Sequence, residues 1–346
     1  MSLLATRMLE LRESGNLDKF EDRITSAGAF DFMRQDSDNP MGIITDDMRS
    51  AARQAFSRDL KVPVIDFDGG ISIGSTRSHT IADSENTSDL VTITFVTYNF
   101  GFTQVPVLYR NNEVGEQADF DRKFLKYLNL LHRTVDTAAI SAIDTAKTQV
   151  ITDNLGYTVA SNTVNFTLAE EVEALGELNP MMNSNDFYDR IHVITNQGGH
   201  SLVKRLEQKG ISQDTNRTLQ YVDKPIHVSN RITNAADKKL TGYAVNEGST
   251  GLLFRFDREA EAGTTSEYKG YNWGIEQVPI LNIPMGTLFY EDVGDYNAIA
   301  GAASADMKAV RKLHYGFSVD IAYVVSSNSD ASTIASPIIK FDVADA

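Results

Sequence analysis

Cysteine is absent from all 346 residues. That excludes a disulfide framework, a thiolate metal site and a cysteine nucleophile, and it makes synthesis in a reducing cytoplasm acceptable. Long apolar runs are absent as well. None approaches the roughly 18 residues of a membrane span. The first twelve residues, MSLLATRMLELR, are too charged and too short in apolar run for a signal peptide. A soluble chain made in the cytoplasm, with no membrane partner, is expected, and the sequons at Asn86, Asn165 and Asn216 then carry no glycosylation meaning. Positive charge is scarce. Lys and Arg number 32 against 47 Asp and Glu, a net charge of −15. Sequence-specific nucleic-acid recognition needs a cationic footprint and is disfavoured. The excess acid either keeps a crowded protein soluble or forms a wall that repels packed DNA and keeps it mobile. Internal repeats and low-complexity segments are missing too.

The familiar motifs of chemistry fail on inspection. The stretch from Thr195 to Ser201 joins a strand to a helix, where phosphate can bind. It lacks both G-x-G-x-x-G and G-x-x-x-x-G-K-[ST], so it reads as a tight structural turn. Gly199-His200-Ser201-Leu202-Val203 begins like a nucleophile elbow but ends on Val203 where Gly is required. Asp66-Phe67-Asp68-Gly69-Gly70 starts like a calcium loop, yet Ile71 and Arg77 stand where that loop needs Gly and Glu; a hairpin turn fits better. The six histidines are dispersed without H-E-x-x-H spacing. His132 falls within a helix, and His192 should face away from Ile191 and Val193 across its strand. No catalytic, cofactor-binding or metal-binding residue is assigned, and no cofactor is expected.

What is present is a long amphipathic rod. From Asp119 to Val150, Phe120, Phe124, Tyr127, Leu128, Leu131, Val135, Ala138, Ala139, Ala142 and Ala146 recur at steps of three and four, one face of a helix. Asp119 and Asp121 at its start and Lys147 near its end suit the helix dipole. Its length would be roughly 45 Å at a rise of 1.5 Å per residue. Before it, residues 1 to about 25 read as helical, with Leu3, Leu4, Met8 and Leu11 in a narrow stripe that docks on its own domain or on a neighbouring subunit. Residues 28–42 have loop or extended-arm composition, and 45–60 can form another short helix. Period two then sets in from Val62 to Ile73. A polar segment, Asp83 to Asp89, has turn composition, and Val91, Ile93 and Phe95 alternate with threonines. This predicts a long hairpin with a polar tip, only marginally stable alone and leaning on another surface.

After the rod come a strand region from Gly156 to Phe166 and a short helix from Leu168 to Leu178. That helix is begun by a Thr167–Glu170 capping box and ended by Pro180. A strand follows from Asp189 to Asn196, then a helix from His200 or Ser201 to Lys209. Strand material recurs at 226–228, 252–254, 278–290, 317–325 and 337–343.

This order of elements resembles the major capsid protein of tailed bacteriophages, the Hong Kong 97-like capsid fold, of α+β class. The resemblance implies an N-terminal arm at 1–58, an E-loop hairpin at 59–100 and a P domain at 101–180 with its spine helix at 119–150. An A domain would occupy 181–300, and P-domain return strands 301–346. It implies a structural protein, not an enzyme, assembling with itself as hexamers and pentamers into an icosahedral phage head around double-stranded DNA, bound without sequence specificity. The location would be the virion capsid, after synthesis in the host cytoplasm. The expected assembly contacts are Leu4, Met8 and Leu11 on the first helix and Arg77, His79, Asp83, Glu85 and Asp89 on the hairpin. Some relatives carry a long cleavable scaffolding segment; too little precedes the hairpin here, so a separate scaffolding protein and a portal are the expected partners. Others cross-link Lys to Asn; Lys147 and Asn328 are candidates that nothing selects, and no cross-link is expected. Three alternatives stay open: an encapsulin-like compartment shell, a tail or baseplate component, and an α+β enzyme whose carboxylates converge only in space.

Overall fold

The computed structural model describes residues 3–15, 28–40, 42–54, 59–65, 88–109, 115–147, 156–171, 173–184, 187, 190–209, 224–255, 272–295, 309–326 and 337–345. In chain order its elements are α1 (Leu3–Glu13), α2 (Gly28–Ser37), α3 (Asp46–Gln54), β1 (Asp59–Ile65), β2 (Ser88–Thr94), β3 (Val96–Gln104) and α4 (Glu116–Ala146). There follow β4 (Tyr157–Ala160), β5 (Thr163–Phe166), α5 (Ala174–Ser184), β6 (Ile191–Thr195), α6 (Gln197–Lys209) and β7 (Ile226–Val228). The chain closes with β8 (Lys238–Asn246), β9 (Thr250–Arg255), β10 (Asn272–Val278), β11 (Ile283–Asp295), β12 (Ala309–Val325) and β13 (Ile338–Ala344). Helix and strand are mixed throughout, an α+β chain. It divides into two compact units, each assembled from segments distant in sequence.

One unit comprises residues 1–25, 95–134 and 254–321. Its sheet runs antiparallel in the order β10-β11-β12-β3. Strand alternation sorts this sheet into two faces. Tyr98, Phe102 and Gln104 of β3 pair with Val319, Tyr315 and Leu313 of β12, and all six are buried. Against them lies the first part of α4. Phe120 meets Tyr315 at 5.1 Å between ring centroids, and Phe124 meets Phe317 at 5.3 Å. Phe102 approaches Phe120 edge-on at 5.4 Å, one of the two arrangements aromatic rings favour. Helix α1 belongs to this unit. Arg7 donates to Gln117 Oε1 (2.9 Å) and pairs with Glu116 (3.1 Å), and Arg12 donates to the Gln277 carbonyl (2.8 Å).

The other unit comprises residues 26–94, 135–253 and 322–346. Its six-stranded sheet has the order β4-β5-β13-β8-β6-β7, with β13 parallel to β5 and β6 parallel to β7. Val164, Phe166, Leu178, Met182, Val193, Leu202, Ala244 and Phe341 contribute to one buried cluster. Strands β1 and β2 form a separate two-stranded antiparallel sheet, with Asp59 opposite Thr94 and Ile65 opposite Ser88.

Several expectations need correction. Residues 28–37 are helical rather than an extended arm. Their Asp, Ser and Gln content suggests a loop, but Ala29, Phe30, Phe32 and Met33 are all 1 % exposed or less, and burial of that face outweighs propensity. The long helix starts at Glu116 and ends at Ala146. Ile143, unremarked in the periodic stripe, is fully buried, whereas Ala142 and Ala146 are half-buried. Pro180 sits inside α5 rather than ending it. The helix begins only at Ala174, after a separate 3-10 turn at Leu168–Glu170 that carries the Thr167–Glu170 capping box. Helix α6 starts at Gln197, earlier than the expected His200 or Ser201. Finally, Ser88 and Asp89 are paired strand residues, not hairpin tip. Strand β3 escaped sequence reading altogether.

Candidate functional site

The residues singled out for assembly fall into three groups. Leu4, Met8 and Leu11 are 2 %, 1 % and 0 % exposed, so the chain itself already covers their stripe. Leu9, on the other side of the same helix, is 44 % exposed. Asp89 lies in β2 opposite Val64 of β1. Arg77, His79, Asp83 and Glu85 lie outside the described residues, as does Asn328.

The most developed polar construction surrounds α2. Its first-turn N–H groups have no partner within the helix. Asp136, projecting from the later part of α4 and 1 % exposed, fills that need. Its Oδ1 accepts the Ala29 and Phe30 N–H groups, both at 3.1 Å, and its Oδ2 accepts the Ser229 hydroxyl at 2.5 Å. A carboxylate at a helix N-terminus also meets the positive end of the dipole. Burial raises the Asp136 carboxyl above its ordinary pKa, and the three hydrogen bonds act against that rise. Gly28 allows the approach: a Cβ there would come within 2.5 Å of the Val228 carbonyl oxygen of β7.

At the other end of α2, Asp36 and Ser37 grip the turn between β8 and β9. Asp36 accepts the Gly248 N–H (2.6 Å), the Thr250 N–H (2.9 Å) and the Thr250 hydroxyl (2.8 Å). Ser37 Oγ accepts the Leu252 N–H (2.6 Å) and donates to the Met33 carbonyl (2.7 Å).

Between these anchors Phe32 packs on a histidine pair. Its ring lies 4.9 Å from His192 and 5.3 Å from His227. His192 Nδ1 and His227 Nε2 are 3.1 Å apart and share a hydrogen bond. His192 does face away from Ile191 and Val193, as alternation requires. Burial and the neighbouring His192 lower His227 to about 4. Burial also lowers His192, against the raising influence of Glu247, whose Oε2 lies 3.8 Å from His192 Nε2. His227 drew no attention in the sequence, because its strand has only three residues.

A third cluster surrounds Asp144 near the end of α4. Its Oδ1 accepts from Lys147 (2.7 Å), Lys340 (3.0 Å) and Tyr243 (2.8 Å). Burial alone would raise this carboxyl; the three donors outweigh it and hold it at about 2. Lys147 is thereby engaged with a carboxylate.

The turn at Thr195–Ser201 is structural. Asn196 Oδ1 accepts the Gly198 and Gly199 N–H groups, at 3.0 and 3.3 Å, taking the donors that a phosphate would need. Gly199 leaves no room for a side chain, since a Cβ would meet Thr195 Oγ1 at 2.0 Å. Among the described residues no three His, Cys, Asp or Glu side chains gather to hold a metal ion. No described helix is long and apolar enough to cross a membrane.

No family model and no curated relative matches the chain. Among solved structures it is similar to a chain of the bacteriophage PhiM1 mature capsid, at 11 % identity and a TM-score of 0.45, covering 84 % of this chain and 83 % of that one. It is similar to a chain of Mycobacterium phage Cain at 9 % identity and a TM-score of 0.44, covering 84 % and 87 %. The holo-SrpI encapsulin complex from Synechococcus elongatus is similar at 8 % identity and a TM-score of 0.40, covering 83 % and 82 %.

Proposed function

We propose that the chain is a structural capsid protein of the Hong Kong 97 type, whose copies assemble as hexamers and pentamers into an icosahedral head around double-stranded DNA. The observation that carries this reading is the β1–β2 hairpin. Each strand has only the other as its sheet partner among the described residues. A lone two-stranded ribbon is marginal in water and gains stability by lying on another surface. The 31-residue α4 supports the same reading, because it is far longer than the roughly three to four turns usual in a globular domain. Repeated head-to-tail contact between identical subunits closes into rings.

The hydrogen-bonded carboxylates support a structural rather than a catalytic role. Asp36 and Asp136 spend their oxygens on backbone N–H groups and hydroxyls, and Asp144 on two lysines and a tyrosine. A virion location, a separate scaffolding protein and a portal belong to the same proposal, as do the arm, E-loop, P-domain and A-domain boundaries.

Negative-stain microscopy of the purified protein tests the reading. Closed shells or capsomer rings are expected; a monomer without higher assembly at any concentration overturns it. Shells isolated with a protein cargo instead of DNA would convert it to a compartment shell. Deleting residues 83–87, between the two paired strands, should abolish assembly while leaving the melting temperature of the subunit unchanged. Normal assembly of that variant would remove the hairpin from the proposal.

A further inference from the structure

The sheet of the unit that holds α1 ends at β10 on one side and at β3 on the other. In an antiparallel ladder the N–H and C=O of one residue point to the same side, and successive residues alternate between sides. Two side-chain bonds reveal which residues turn outward at these edges. Lys123 donates to the Thr103 carbonyl of β3 at 3.0 Å, and Arg12 donates to the Gln277 carbonyl of β10 at 2.8 Å. The register makes them agree. Thr103 lies opposite His314, His314 opposite Tyr290, and Phe289 opposite Asn272. A phase that turns Thr103 outward therefore turns Gln277 outward as well. On β3 the other outward residues are Thr97, Asn99 and Gly101.

Natural sheets blunt their edges with charge, proline, bulges or short strands. Arg12 blocks β10 at Gln277, and that strand carries Glu276. The hairpin strands carry Asp59, Lys61 and Pro63 on β1 and Asp89 on β2. Strands β4 and β7 have only four and three residues. Strand β3 uses none of these devices. Its nine residues, VTYNFGFTQ, include no charge and no proline, and its register with β12 runs without a bulge. Lys123 guards only Thr103. The outward backbone groups of Thr97, Asn99 and Gly101 have no hydrogen-bond partner among the described residues, and Asn99 and Gly101 are exposed.

We infer that β3 pairs with β3 of a second copy of the chain, antiparallel and about a twofold axis at Asn99. In that register Asn99 lies opposite Asn99 and Thr97 opposite Gly101. The unguarded residues then satisfy one another with about six backbone hydrogen bonds, and Thr103 keeps its lysine. The missing charge points to a copy of the same chain. Across a twofold every charge near the axis meets its own kind, and like charges directly opposite are destabilising; β3 brings none. The joint is small beside the roughly 1,600 Å² of a stable complex, so one alone is weak and repetition gives it strength. It is isologous, whereas contacts that close rings are heterologous. In the proposed shell it links one ring to the next, and it forms in solution with or without a shell.

The absence of cysteine makes the register testable in the full-length protein. Residues opposite each other in a hydrogen-bonded antiparallel pair have Cα atoms about 5.5 Å apart, within the span of a disulfide. Asn99→Cys should therefore give a covalent dimer on mild oxidation, read on a non-reducing gel. Thr103 is equally exposed but would lie about 27 Å from its own copy, at about 3.4 Å per residue. Thr103→Cys should give roughly tenfold less dimer, the remainder being random collision. Asn99→Lys sets like charges across the axis and should shift sedimentation equilibrium toward monomer. Equal cross-linking of the two cysteine variants, or none from Asn99→Cys, overturns the twofold joint. Cross-linking of Asn99→Cys only when mixed with a Thr92→Cys variant would show β2 of a second copy as the occupant and overturn it too. Microscopy of the same samples keeps the two readings apart. Normal shells whose Asn99→Cys subunits never cross-link through β3 defeat only the joint. Cross-linked dimers that never build rings or shells defeat only the capsid reading.

Discussion

The two parts of α4 solve the problem of burial differently. Its first part, up to Thr134, buries Phe120, Phe124, Leu128 and Leu131 among the rings of β3 and β12. Its second part, from Val135, buries an acid: Asp136 is as hidden as those rings and holds three donors from two other segments. Ring packing is strong but tolerant of direction, since apolar attraction follows area. A buried carboxylate is expensive and stays charged only where its donors are placed for it. The first stretch of α4 is therefore held in its unit by bulk, and the second in its own unit by direction.

The comparison can be broken most severely at the ring anchor. Phe124→Ala should cost about 3–5 kcal/mol of unfolding free energy in a denaturant titration, through lost burial and a residual cavity. Asp136→Ala should cost about 2–3 kcal/mol, because the buried donors of Ala29, Phe30 and Ser229 lose their acceptor. A loss below 0.5 kcal/mol would mean that water replaces the carboxylate and that the directional anchor is dispensable.

The histidine pair gives a smaller and pH-dependent effect. His227 is held below its ordinary value, so between about 6.5 and about 4 the unfolded chain binds more protons than the folded one. Its contribution is intact above the upper limit and is lost as pH falls through that window. Allowing for partial exposure, the loss is on the order of 2 kcal/mol, and His227→Phe should flatten the stability profile there. Asp144, held at about 2, adds a separate loss only below the ordinary carboxylate pKa near 3.8. A profile in the His227→Phe variant identical to wild type between pH 6.5 and 4 would exclude the pair as its source. Smallest of all, Arg311→Ala breaks an exposed cross-strand pair with Glu291 and should change stability by no more than about 0.5 kcal/mol.

The same contrast explains what could be read from residues alone. The rings of α4 announce themselves, because Phe120, Phe124, Leu128, Leu131 and Val135 repeat with the helical period. The alternating tail from Phe317 to Val325 announces β12 for the same reason. Asp136 does not, since on a polar-looking turn of an amphipathic helix a buried acid and a solvated one have the same letter. Helix α2 was hidden by its own composition, as its caps come from Asp136 and its lower anchor from a turn some 210 residues away in sequence. The His192–His227 pair joins two strands that share no local pattern.

Period, turn chemistry and charge balance are local properties of the chain. They determined by themselves the long helix, the hairpin strands, the Thr167 capping box, the tail strands and the absence of familiar catalytic motifs. The tertiary structure alone decided which polar groups are buried, that residues 28–37 form a helix, and that the Leu4–Met8–Leu11 stripe is covered. Each of those depends on desolvation, and desolvation of a side chain is set by segments that pack against it from far along the chain.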